Sequence, residues 1–160
     1  MRETVYIETT IFSFYHDQRT APAIVTMRDW TREWWENCRP RYRVVTSTAV
    51  LAELETGKLP HKQNALNMAL QLPAISVEDE VKEIATAYIS HHLMPSDPIG
   101  DALHLAVASW HKCEYVLTWN CRHLANANKF GHIKRVNTML GLYVPSMVTP
   151  LELMESGDPL

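Results

Sequence analysis

The sequence predicts an α/β fold: a central parallel sheet with helices on both faces, a three-layer α/β/α sandwich. Three observations carry this. Short β-branched and aromatic runs recur along the chain at Val5-Tyr-Ile7, Tyr42-Arg-Val-Val45 and Tyr115-Val-Leu-Thr118. Between them lie stretches whose apolar residues return at three- and four-residue steps, the period of a helix. No Asn-Gly or similar hairpin dipeptide joins one run to the next, which leaves βαβ crossovers as the connection.

The elements follow in order. Val5–Ile7 is a buried strand. From Pro22, Ile24, Met27, Trp30 or Thr31 and Trp34 form a helical stripe, with proline in the first turn where its missing N–H costs nothing. After the strand Tyr42–Val45, Thr46-Ser47-Thr48 offers N-cap hydroxyls for a helix through Val50, Leu51 and Leu54 that stops near Gly57. Pro60 opens a helix carrying Leu66 and Leu70. Ala74-Ile-Ser-Val77 reads as a short strand. Ser76 followed by Asp79 resembles a capping box before a helix with Val81, Ile84, Ala85 and Tyr88 on one face. Asp97-Pro98 predicts a capped helix start. The helix to about His111 is apolar around most of its circumference and is expected to be buried on more than one side. Tyr115–Thr118 is the next strand and Leu142-Tyr-Val144 the last. Thr149-Pro150 caps a terminal turn through Leu151 and Met154.

Composition limits the classes of function. The chain has 160 residues, 46% hydrophobic and 21% charged, with nine Pro and five Gly. This is the composition of a globular chain, and the expectation is one domain over residues 1–160. At this length folding buries roughly 70% of the extended chain's surface, enough for a core without disulfides. Three cysteines (Cys38, Cys113, Cys121) form no C-x-x-C pair and are expected to be free thiols in a reducing cytoplasm. No apolar run approaches the ~20 residues of a membrane span, and no apolar leader follows Met1. Lys and Arg total 15 against 18 Asp and Glu, a net charge of −3, so contact with nucleic acid must rest on a local basic strip or on a metal.

Ligands of open parallel sheets bind outside the carboxyl ends of the strands, so acids there are candidates for a site. Glu8 ends the first strand, where a carboxylate is expensive unless something uses it; it is otherwise a cap for the next segment. Glu53 falls between the apolar positions Val50 and Leu54 of its helix and so faces inward, or else is a solvated helix acid. Asp101 lies in the first turn of the most apolar helix, where the helix dipole favours it. Gly100 and Ala102 beside it leave room for a ligand. Asn120 ends the strand Tyr115–Thr118 through Trp119 as a neutral oxygen donor or a turn former. Hard divalent cations take oxygen donors of this kind. There is no H-E-x-x-H, Cys/His zinc spacing, G-x-S-x-G elbow or P-loop. His104 and His111 read as packed or solvated helix residues, not ligands.

Four blocks, Val5-Tyr-Ile-Glu-Thr-Thr10, Val50-Leu-Ala-Glu-Leu54 with Gly57, Asp101-Ala-Leu-His-Leu-Ala-Val-Ala108 and Leu117-Thr-Trp-Asn-Cys-Arg-His-Leu-Ala-Asn126, together resemble the PIN domain family over nearly the whole chain. The likeness is to its VapC-like group, the toxins of prokaryotic toxin–antitoxin pairs. The last two blocks, in that order, are the specific part. The resemblance implies helices around a parallel sheet, endoribonuclease activity dependent on Mg²⁺ or Mn²⁺, RNA as substrate, a frequent homodimer and a small antitoxin partner. It carries the acidic cluster over to Glu8, Glu53, Asp101 and Asn120, with Thr10 as the hydroxyl that helps hold the metal. The family usually has Asp where this chain has Glu8, and often Asp where it has Asn120. Glu sets its carboxylate roughly 1.5 Å farther out, and Asn leaves three carboxylates instead of four. Arg122, Lys129, His132, Lys134 and Arg135 are the candidate phosphate contacts, or else a solvated loop and helix face. The competing reading is a catalytically weakened PIN fold acting as a protein- or RNA-binding or dimerisation module. Trp30, Trp34 and Trp35 would then be its partner surface, although core packing is the commoner cause of such a stripe.

Overall fold

The computed structural model describes residues 1–154. Strands β1 (Thr4–Ile7), β2 (Arg43–Ser47), β3 (Ala74–Ile75), β4 (Tyr115–Leu117) and β5 (Ser146–Val148) form one sheet in the order β3-β2-β1-β4-β5. Every neighbouring pair is parallel. Val5, Tyr6 and Ile7 are fully buried, as a central parallel strand must be when helices cover both faces. From β1 the chain first builds towards β2 and β3, then returns to build β4 and β5 on the other side. The carboxyl ends of β1 and β4 therefore flank the point where the strand order reverses, which is where ligands of such sheets bind.

Seven α-helices connect the strands among the described residues: α1 (Thr9–Tyr15), α2 (Pro22–Glu33), α3 (Thr48–Thr56), α4 (Lys62–Ala69), α5 (Asp79–Ser90), α6 (Gly100–Trp110) and α7 (Ala127–Met139). Right-handed crossovers place α1–α4 on one face and α5–α7 on the other. The contacts of α1 with α2 and α4, of α3 with α4, and of α5 with α6 agree with this. The second layer is also tied by buried polar groups. Asn137 on α7 donates to Ser109 Oγ of α6 (2.9 Å) and to the Tyr143 carbonyl (2.9 Å), and it accepts from the Tyr88 hydroxyl of α5 (2.6 Å).

Several expectations shift. The last strand lies at Ser146–Val148, not at Leu142–Val144. Residues 142–144 instead close α7: the Leu142 N–H donates to the Asn137 carbonyl, and Tyr143 receives the Asn137 amide. Pairing with β4 starts only beyond Pro145, which has no N–H to give. Asp97 does not cap α6; the residue preceding the helix is Ile99, with no side-chain cap, and Asp101 is the only acid in the first turn. Helix α5 starts three residues beyond Ser76, after Glu78. The stripe from Pro22 is α2 followed by a wider π turn at Trp34–Cys38, which turns Trp34 and Trp35 into the core. Trp30 stacks on Trp119 at 6.3 Å. Trp34 and Trp35 pack the interior, and half-buried Trp30 is covered by Trp119, so the three do not form one exposed stripe. Ser47 does cap α3, accepting from Val50 N.

Beyond the carboxyl end of α1, Asp17 is almost wholly buried and accepts both the backbone N–H and the guanidinium of Arg19. The Arg19 side chain beside it holds the carboxyl at about 2, against an ordinary 3.8. A group depressed in the folded state stabilises the fold above its unfolded value and loses that contribution as pH falls through its folded value. The Asp17→Asn protein should therefore melt below wild type at pH 6, and the gap should close between pH 4 and pH 2. A constant gap across that range in a pH series of thermal melts would show that the pair contributes nothing through charge.

Candidate active site

The residue after β1 is Glu8, which serves as the N-cap of α1. Its Oε1 accepts the backbone N–H of Thr10 (3.2 Å), the Thr10 hydroxyl (2.5 Å) and the Thr118 hydroxyl at the end of β4 (2.6 Å). One carboxylate oxygen thus joins both strands of the reversal point, and the carboxylate is locked in rotation. The Thr10 hydroxyl also accepts from Trp119 N (2.8 Å), so it orients Glu8 rather than presenting itself to solvent. Burial raises the Glu8 carboxyl above its ordinary value, against the pull of His104, Thr10 and Thr118.

Glu53 comes in from the second turn of α3, the helix that starts at the end of β2. Its side chain is 40% exposed, with Oε1 turned inward to 2.5 Å from His104 Nε2. Its packing partner on α6 is Gly100, where a Cβ would stand 2.7 Å from Glu53 Oε1. The space left by that glycine is taken by the acid itself, not by an approaching ligand. A Gly100→Ala protein should keep its fold, since alanine favours the helix, but displace the Glu53 carboxylate. Activity should fall at least about tenfold, because small displacements of positioning groups cost up to 10²-fold. Wild-type turnover in this variant, measured beside its melting curve, would show that the Glu53 position is not critical.

Asp101 lies half-buried in the first turn of α6, held through Oδ1 by the side-chain amide of Asn120 (2.9 Å). Burial raises its carboxyl, opposed by His104, His123 and Asn120. Asn120 directs its oxygen at the backbone N–H groups of Arg122 (3.2 Å) and His123 (3.0 Å). Those two donors fix which end of the amide is oxygen. Asn120 therefore both shapes the turn and orients Asp101, and its oxygen is committed to the backbone rather than free for a cation.

The group missed by reading the sequence is His104. It is 1% exposed, one helical turn after Asp101, with Nε2 beside Glu53 and 4.0 Å from Glu8 Oε2. Its Nδ1 pairs with the Tyr6 hydroxyl (2.7 Å), which pairs with Ser47 Oγ (2.7 Å), the cap of the helix that carries Glu53. Burial pulls the imidazole down, but Glu53, Glu8 and Asp101 outweigh it and hold His104 above its ordinary value. The signal for it was the i, i+3 spacing from Asp101, which puts both side chains on one helix face. His111, by contrast, pairs with Glu78 at the far end of the helix.

The arrangement fits a divalent cation. One ligand atom each from Glu8, Glu53 and His104 lies within 4.8 Å of the others. Glu53 Oε1 and His104 Nε2, paired with each other at 2.5 Å, are both atoms that a cation could take in place of the proton between them.

The basic candidates divide. Arg122 is exposed in the turn beside Asn120, and Lys134 and Arg135 are exposed on α7. Lys129 is not free for phosphate: its ammonium donates to the Leu93 carbonyl and touches Met94 Sδ, pinning the loop before α6. Burial lowers its ionisation, opposed by Asp101.

No curated protein sequence matches the chain. Several solved structures share its fold, three of them as follows. FitAcB from Neisseria gonorrhoeae is 14% identical, covering 93% of this chain and 99% of that one with a TM-score of 0.57. The Sarcin-Ricin loop cleaving toxin VapC20 of Mycobacterium tuberculosis is 16% identical, covering 70% and 86% with a TM-score of 0.52. VapBC2 from Rickettsia felis, bound to a DNA fragment from its promoter, is 15% identical, covering 91% and 98% with a TM-score of 0.51. Residues 5–128, from the first strand through the Asn120 turn, match the sequence profile of the PIN domain. The chain belongs to the PIN domain family.

Proposed function

We propose that this PIN domain is a divalent-metal-dependent endoribonuclease, the cytoplasmic toxin of a type II toxin–antitoxin pair, acting as one domain and as a homodimer. The observation that carries the reading is the convergence of Glu8, Glu53 and His104, with Asp101 beside them, at the reversal point of a PIN sheet. The likeness to VapC20, a Sarcin-Ricin loop cleaving toxin, and to VapBC2 supports the activity and an antitoxin partner.

Glu8, Glu53 and Asp101 would hold Mg²⁺ or Mn²⁺, which when bound supplies an acidic water and offsets charge developing on the phosphate. Glu8 is held in place for this by its three donors, and Asn120 holds Asp101. Asp101, half-buried and held through one oxygen by Asn120, is the group we assign to take the proton of the attacking water. Arg122, exposed beside the site, and Lys134 and Arg135 on α7 contact the RNA backbone, positioning it without reading its sequence.

The test is cleavage of a fluorophore–quencher RNA panel with Mg²⁺ or Mn²⁺. Cleavage should be lost with EDTA and in the Asp101→Asn protein. A panel left intact, together with a melting temperature that no metal raises, would favour the binding-module reading.

A further inference from the structure

We propose that His104 is a nitrogen ligand of the metal, so that the site selects a first-row transition ion such as Mn²⁺ over Mg²⁺. The inference rests on the metal-dependent reading of the site and goes beyond it in naming the ligand and the preference.

The geometry points this way for three reasons. First, His104 Nε2 and one carboxylate oxygen each of Glu8 and Glu53 lie within 4.8 Å of one another, close enough for one cation to take all three in place of the proton now shared between His104 and Glu53. Second, two ligands at right angles on a cation with bonds of about 2.1 Å sit about 3 Å apart. The present separations from Nε2, 2.5 Å to Glu53 and 4.0 Å to Glu8, bracket that value, so a small movement of the half-exposed Glu53 side chain suffices.

Third, the other side of the ring is built as a ligand's support. A ligating histidine is fixed by a hydrogen bond at its second nitrogen. Here Nδ1 meets the Tyr6 hydroxyl and, through it, Ser47 Oγ, all fully buried. Both hydroxyls can donate or accept, so the chain runs in either direction. When Nε2 carries a proton, Ser47 donates to Tyr6 and Tyr6 to Nδ1. When Nε2 offers its lone pair to a metal, Nδ1–H donates to Tyr6 and Tyr6 to Ser47. The ring stays hydrogen-bonded in both states. Oxygen donors alone suit Mg²⁺, whereas an imidazole nitrogen adds affinity along the transition series.

The decisive experiment is pulsed electron paramagnetic resonance on the full chain with bound Mn²⁺, reading nitrogen coupling, beside calorimetric titrations with Mn²⁺ and Mg²⁺. Expected are a directly coordinated ¹⁴N signal that changes to the ¹⁵N pattern on histidine labelling, and Mn²⁺ affinity at least about tenfold above Mg²⁺. The His104→Gln protein should lose the nitrogen signal and bind Mn²⁺ about 10–100-fold more weakly. His123, the other imidazole coupled to Asp101, is the control: His123→Gln should keep the signal. That variant and the labelled wild type decide the matter even if His104→Gln fails to fold. Bound Mn²⁺ without nitrogen coupling, equal affinities for the two ions, or a signal lost in His123→Gln would overturn the inference and leave a metal nuclease standing. No bound metal, with RNA cleavage that survives EDTA, would overturn both.

Discussion

RNA cleavage by the Glu53→Gln protein is expected to fall at least about a hundredfold while the protein melts within a few degrees of wild type. The two halves of this expectation have separate causes. Glutamine matches glutamate in shape, its amide oxygen can still accept from His104 Nε2, and the side chain is 40% exposed. Loss of one charge from such a half-exposed pair costs about 1 kcal/mol. The activity, however, uses its charge. One carboxylate of the cluster becomes a neutral amide beside His104 and Glu8, which would loosen the hold on the cation that offsets phosphate charge, and losing such preorganised stabilisation costs 10²–10³-fold. Single-turnover cleavage at saturating metal, set beside a melting curve, tests both halves. Cleavage within threefold of wild type would remove Glu53 from the site.

The largest loss of stability is expected at Asn137, on the opposite face of the sheet from α3. This side chain is fully buried and makes three hydrogen bonds, to Tyr88, Ser109 and the Tyr143 carbonyl. Asn137→Ala leaves the carbonyl without its amide donor and the Tyr88 hydroxyl with Ser109 alone. Each buried polar group so orphaned costs about 1–3 kcal/mol, and a small cavity adds to it. The sum is about 3–5 kcal/mol, a large part of the 5–15 kcal/mol that holds a typical domain together. Urea denaturation should show the midpoint falling at an unchanged slope. Tyr88→Phe, which keeps the ring and removes one hydroxyl, should cost about 1–2 kcal/mol. Equal losses in the two variants would mean that the ring, not the polar triad, supports this layer.

The parts of the fold that the sequence makes legible are those where one physical signal dominates. Strands β1, β2 and β4 are runs of β-branched and aromatic residues with no competing period. Helix α3 announces itself through Ser47 and Gly57. Strand β5 is a three-residue edge strand of mixed character, and its pairing is decided by Pro145 and by how α7 ends, neither of which is a local preference of Ser146–Val148. Helix α1 has seven residues, too few to display a period, and α7 buries only Ile133, Val136 and Asn137 along its length. At the site, the segments carrying Glu8, Glu53, Asp101 and Asn120 meet at one sheet edge. What each does there depends on partners far away in sequence. Asn120 spends its oxygen on a turn, Lys129 spends its ammonium on a loop carbonyl, and Gly100 makes room for Glu53. His104 is hidden for the same reason: a histidine in an apolar helix looks like packing until Tyr6 and Ser47 are seen behind it.

The bond from Thr118 to Glu8 also bears on the protein's synthesis. It closes a loop of 110 residues, and β1 lacks its second neighbour until β4 has formed beside it. During synthesis Glu8 emerges before Glu53, yet it cannot take its final orientation until residues 115–118 have been made. The candidate site is thus assembled only once β4 has been made, and fragments that stop before it should lack the orientation of Glu8.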